Sequence, residues 1–91
     1  MGLTRRVAPK NLPQKLLQIR QSLGLSQNAM LQRLGMKGSF RSSISGYERG
    51  EREPPLPILL SYAEVANICL DVLVDDKRDL PEIIPAKKKR H

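Results

Sequence analysis

The sequence predicts an all-α fold, a compact bundle of four to five short helices, and three observations carry that expectation. Apolar residues recur at three- and four-residue intervals in segments about ten residues long, and no stretch reads as a strand. Turn formers close those segments at Gly24, Gly35, Gly50 and Asn67. The chain has 91 residues, enough for one domain with a modest core.

Residues 1–11 read as a flexible basic arm, with Pro9 and Pro13 bracketing its exit. The first helix is expected over about 13–23, with proline in the first turn, where a missing N–H costs nothing. Leu12, Leu16, Ile19 and Leu23 form its apolar stripe. Ser26 is a suitable N-cap for a second helix over about 27–34, with Met30, Leu31 and Leu34 inward. A turn through residues 36–40 leads to a third helix over about 41–49, with Ile44 and Tyr47 inward. A charged, proline-rich connector follows at 51–57. Pro57 can open a fourth helix whose buried face is Leu59, Leu60, Tyr62, Ala63 and Ala66. Residues 70–74 give one more helical turn. The body of the domain is thus 12–74, and 75–91 is an extended segment, 75–85, with a basic tail, 86–91.

Charge narrows the function. The net charge is +7, but it is unevenly placed. Arg5, Arg6, Lys10 and Lys15 stand ahead of the expected core, and Lys87, Lys88, Lys89 and Arg90 close the chain. Between Arg20 and Arg52 six basic residues face only Glu48 and Glu51. Between Glu53 and Glu82 seven acids face only Lys77 and Arg78. A basic half and an acidic half imply one face turned toward a polyanion. With Phe40, Tyr47 and Tyr62 as the only aromatic residues, there is little to stack single-stranded bases, so a duplex is the better match.

Other classes find little support. The one histidine is His91, and the carboxylates show neither a metal-ligand spacing nor a catalytic pairing; no glycine-rich phosphate loop is present. No enzyme and no cofactor are expected. Cys69, the single cysteine, rules out an intramolecular disulfide and reads as a small buried hydrophobe. No apolar run reaches the roughly 18 residues of a membrane helix, and no signal peptide is evident, so a cytoplasmic, nucleoid-associated protein is expected.

A set of short motifs in fixed order goes further: Gly24-Leu25-Ser26-Gln27, then Gly35, then Ile44-Ser45-Gly46-Tyr47-Glu48-Arg49-Gly50, then Arg52-Glu53-Pro54 and Leu59-Leu60. Together they resemble the lambda-repressor-like family of the Cro/CI or XRE type, over about residues 12–74. The resemblance implies a five-helix fold whose second and third helices form a helix-turn-helix, with the third in the major groove. It implies a small DNA-binding transcription regulator, a repressor, acting as a homodimer on a palindromic operator.

Residue by residue, the resemblance places Arg41, Ser42, Ser45 and Gly46 at base-facing positions. Arg41 can bind guanine O6 and N7 in bidentate fashion, Ser42 can equally cap the helix, and Gly46 offers only close approach. Gln27, Arg49 and Arg52 match phosphate-contacting positions, and Gln27 also braces the third helix. Arg20 and Glu48 match a structural ion pair; Ile44 and Tyr47 are core. One departure stands out: Ile44 follows Gly35 by nine positions where the family pattern has six. Either Phe40 packs over the longer turn, or the third helix begins earlier with Ser39 as its cap.

Both ends are open to more than one reading. Arg5 and Arg6 can track phosphate or enter a minor groove, or the arm can be a solvated terminus. The segment 75–85, with Leu80, Ile83 and Ile84, can be a dimerisation arm beside Val72 and Val74, can fold back on the last helix, or can dock a protein partner. That last possibility makes an antitoxin-like or adaptor protein the alternative function.

Overall fold

The computed structural model describes residues 9–36 and 41–85. Among them the chain forms five helices and no strand: α1 (Leu12–Leu23), α2 (Gln27–Arg33), α3 (Arg41–Arg49), α4 (Leu56–Ala66) and α5 (Leu70–Val74). The expectations placed on residues 1–8, Ser39, Phe40 and 86–91 lie outside the described residues.

Helix α1 is the spine. It packs on α3 on one side and on α5 on the other, while α2 packs on α3 and α4 on α5. Pro13 occupies its first turn, and Leu12, Leu16 and Ile19 enter the core at one-turn intervals. They meet Met30, Leu31 and Leu34 of the α2 segment, Ile44 and Tyr47 of α3, Leu59, Tyr62, Ala63 and Ala66 of α4, and Leu73 of α5. Each large aliphatic side chain sealed here contributes about 1.5–3 kcal/mol.

The helix ends follow from local chemistry. Gly24 takes a left-handed φ of 71°, and its N–H and that of Leu25 close on the carbonyls of Gln21 and Arg20. Asn67 ends α4 in the same conformation at φ 59°, which its short polar side chain tolerates. Pro55 and Pro57 flank the start of α4, which begins at Leu56, one residue before the position expected.

Three sequence expectations are corrected. Leu60 is 44% exposed, because the buried stripe of α4 is Leu59, Tyr62, Ala63 and Ala66, and Leu60 is rotated about 100° from Leu59. Cys69 is exposed: it stands at the extended N-cap position of α5, outside that helix's inward stripe. Lys15, counted with the charges ahead of the core, is itself buried, only 5% exposed.

Lys15 joins the two ends of the fold. Its Nζ donates to the carbonyls of Val72 (2.6 Å) and Asp75 (3.1 Å) at the C-terminal end of α5 and to that of Arg78 (2.7 Å) in the turn beyond it. Asp76 returns the contact, accepting from the backbone N–H groups of Lys10 (2.9 Å) and Asn11 (3.0 Å) just ahead of α1. Beyond this clasp the chain turns back over the bundle. Leu80 and Ile84 pack against the core, Asn67 Nδ2 donates to the Pro85 carbonyl at 2.9 Å, and Ile83 points outward.

Candidate nucleic-acid interface

Ser26 begins the candidate site. Its Oγ accepts from the Ala29 N–H at 3.0 Å, so α2 starts cleanly at Gln27. At the other end Gly35, with φ 79°, donates to the Gln32 carbonyl, and Met36 donates to that of Leu31. These caps fix α2 across the inner side of α3.

Glu48 is where the first three helices meet. Arg20 Nε lies 2.6 Å from Glu48 Oε2, and Arg20 Nη2 lies 3.1 Å from Oε1. Gln27 Nε2 donates to the same Oε1 at 3.2 Å. The remaining side of the Arg20 guanidinium binds the Leu25 carbonyl at 2.9 Å. The Glu48 side chain is 5% exposed and that of Arg20 16%, so each charge depends on the other. The Gln27 side chain thereby braces α3 while its own position stays in the first turn of α2, where backbone N–H groups and the helix dipole favour an anion.

By helical position, residues 41, 42, 45 and 49 share the arc of α3 opposite the buried Ser43, Ile44 and Tyr47. Arg41 and Ser42 supply the first two positions of the helix, where a recognition helix approaches bases. Ser45 and Arg49 lie one turn apart on this arc, and Arg49 Nη1 donates to Ser45 Oγ at 2.6 Å.

Gly46 sits differently from its neighbours. It is buried, and a Cβ built on it would come within 3.1 Å of Arg52 Cδ and 3.3 Å of Cγ. The stem of Arg52 therefore covers it, which leaves Gly46 little open surface. The approach is made by the backbone after α3: Gly50 turns with φ 77°, and the N–H groups of Glu51 and Arg52 both reach the Gly46 carbonyl, at 2.9 and 3.2 Å. A side chain at position 50 would be strained at that φ and would press on Pro13 Cγ, 3.3 Å from a built Cβ. This packing sets the start of α1 beside the end of α3.

Glu51 is a participant that the sequence reading missed. Its carboxylate accepts from Arg49 Nε (3.1 Å) and Nη2 (2.9 Å), which holds the Glu51 carboxyl below its usual value. No helix-spacing rule reaches across the Gly50 turn, so the pair left no periodic signal. Arg33, in the last turn of α2, is exposed toward solvent.

The described residues show no grouping of three or more His, Cys, Asp or Glu side chains able to hold a metal ion, and none of their helices is long and apolar enough to cross a membrane.

Comparison with known proteins gives a consistent result. Residues 16–73 match the model of the family described as helix-turn-helix. Among solved structures, the fold is similar to the P22 c2 repressor protein in complex with a synthetic operator, with a TM-score of 0.62 and 25% identity over 71% of this chain and 94% of that one. It is also similar to a chain of the SinR protein/SinI protein complex, with a TM-score of 0.63 and 24% identity over 72% of this chain and 62% of that one, a likeness of fold. No curated protein sequence matches the chain.

Proposed function

The chain belongs to the helix-turn-helix family, of the lambda-repressor-like type, and from that premise we propose that this DNA-binding transcription regulator is a repressor that reads a specific duplex sequence with α3 in the major groove. The observation that carries this reading is the bracing of α3 from behind: Glu48 gathers Arg20 and Gln27 on the inner side, and Ser45 and Arg49 lie on the arc away from the buried Ser43, Ile44 and Tyr47, an arc that positions 41 and 42 share by helical register. A helix held this firmly presents its outer face without further ordering cost.

In this reading Arg41, Ser42 and Ser45 face bases. Gln27, Arg49 and Arg52 face phosphates, with Gly46 serving as the floor on which Arg52 lies. The P22 c2 repressor, similar in fold over most of its length, is bound to an operator in its structure, which supports duplex DNA as the partner.

One recognition helix spans few base pairs, so a homodimer on a palindromic operator supplies the remaining specificity. The surface we assign to the second protomer is α5 with its neighbours. Val74, Leu59, Leu56, Pro54 and Pro55, with Pro9 and Glu53, line an open cleft of mixed polarity, and Leu56 is 59% exposed.

The alternative, an adaptor that binds a protein partner, has one observation in its favour. Ile83 is 82% exposed within the 75–85 segment. The SinR neighbour is in complex with a protein, SinI, and this likeness, being one of fold, carries the alternative no further.

Selection from a randomised duplex pool decides between these readings. The regulator enriches a two-fold symmetric sequence; an adaptor enriches nothing. Tighter binding to the separated strands than to the selected duplex would overturn both the groove assignment and the role given to α3.

A further inference from the structure

Glu51 stands outside the motifs that define the site, yet it is joined through Arg49 to Ser45, two residues within them. All three side chains are at the surface; those of Arg49 and Glu51 are 60% and 61% exposed. An exposed ion pair of this kind contributes little to stability. What it fixes is direction. Glu51 takes the Nε and Nη2 edge of the guanidinium, the fork that would otherwise grip a phosphate in bidentate fashion. The far nitrogen, Nη1, is thereby turned onto Ser45 Oγ at 2.6 Å. A serine hydroxyl has one proton and two lone pairs. With one lone pair committed to Arg49, Ser45 keeps its O–H as a donor and a single lone pair as an acceptor. The N–H groups that Arg49 has left are donors too.

Resting on the duplex-reading function above, we propose that Glu51 is a specificity-determining positioning residue. It holds Arg49 across Ser45, so that the side chains at positions 45 and 49 offer more donors than acceptors and favour the acceptor edge of guanine. Guanine presents O6 and N7 in the major groove, whereas cytosine presents its N4 amino donor. A donor-rich patch therefore favours the first over the second. Arg49 is in this account a member of the reading face and not simply a phosphate contact.

The test uses the full chain and three variants, Ser45→Ala, Glu51→Gln and the double variant. Each is carried through selection from a randomised duplex pool and then measured on the selected duplex with and without guanine at the affected position. Thermal melting checks that each variant is folded, as the exposure of these side chains implies. The expected result is loss of guanine preference at the same position of each half-site in both single variants, by about ten-fold. The double variant loses no more than either single one, and Glu51→Gln also binds shuffled duplex more tightly, since a negative charge is gone. The proposal is overturned if Glu51→Gln keeps its guanine preference, if the two single variants relax different positions, or if their losses add. Wild-type protein that enriches no sequence overturns the duplex-reading function itself, a result distinct from any of these.

Discussion

Arg20 and Glu48, 28 residues apart, meet with Nε and Oε2 2.6 Å from each other, and this pair ties α1 to the inner side of α3. Both side chains are largely withdrawn from water, so removing one leaves the other as an uncompensated charge. Glu48→Gln is expected to lower stability by about 3 kcal/mol, read as a fall in denaturation midpoint. Gln27→Ala removes one hydrogen bond to the same carboxylate and should cost only about 1 kcal/mol in stability. It should, however, weaken binding to selected and shuffled duplexes alike, because a contact to phosphate carries no sequence information.

The buried Lys15 makes a different prediction. Its ammonium binds three carbonyls, from Val72, Asp75 and Arg78, and the Asp75 carbonyl also accepts from the Arg78 N–H. Lys15→Met keeps the apolar stem but takes the ammonium donor from the Val72 and Arg78 carbonyls. A loss of about 2 kcal/mol or more is expected. Hydrogen exchange should show it concentrated in α5 and in residues 75–80. A variant as stable as the parent would mean that the clasp contributes nothing.

Asp76 gives the fold a dependence on pH of known sign. Backbone N–H donors from Asn11 and Lys10 hold its carboxyl below the usual value. A carboxyl depressed in the folded state adds stability above its unfolded value of about 3.9, and that contribution is lost as pH falls through the lower folded value. Asp76→Asn should therefore be less stable than the parent at neutral pH, and the gap should close in acid. A gap that persists unchanged at the lowest pH would point to a cause other than this ionisation.

Tyr62 tests the core from the other direction. Its hydroxyl is buried with no hydrogen-bond partner among the described residues, and burial pushes the phenol well above its ordinary value. Tyr62→Phe gives up no protein hydrogen bond and removes a desolvated group, so the melting temperature should hold or rise. A clear fall would show that the hydroxyl is satisfied in solution.

What was legible in the sequence was local. Gly24, the Ser26 cap and the Asn67 terminator act within four residues of their own positions, and the helical stripes need only a repeat of 3.6. What was hidden depends on long-range closure. Lys15 counts as one of the charges ahead of the core until the carbonyls of Val72, Asp75 and Arg78, 57 and more residues away, are seen around it. Asp76 sits in the acidic half by composition, yet its task is at the start of α1. Leu60 and Cys69 look apolar enough to be core, but one step of rotation and one capping position put them outside. In the candidate site, Gln27, Ser45 and Arg49 stand out by motif. Glu51 does not, because its partner lies across a glycine turn that breaks the helical register.

The central claim is that α3 reads sequence, and equilibrium binding to a selected duplex and to its shuffled counterpart, over a range of salt concentrations, tests it most directly. The account predicts weakening of both with salt and a preference for the selected duplex of at least about a thousand-fold. Equal affinity for the two duplexes at every salt concentration would contradict it, leaving a basic surface that holds DNA without reading it.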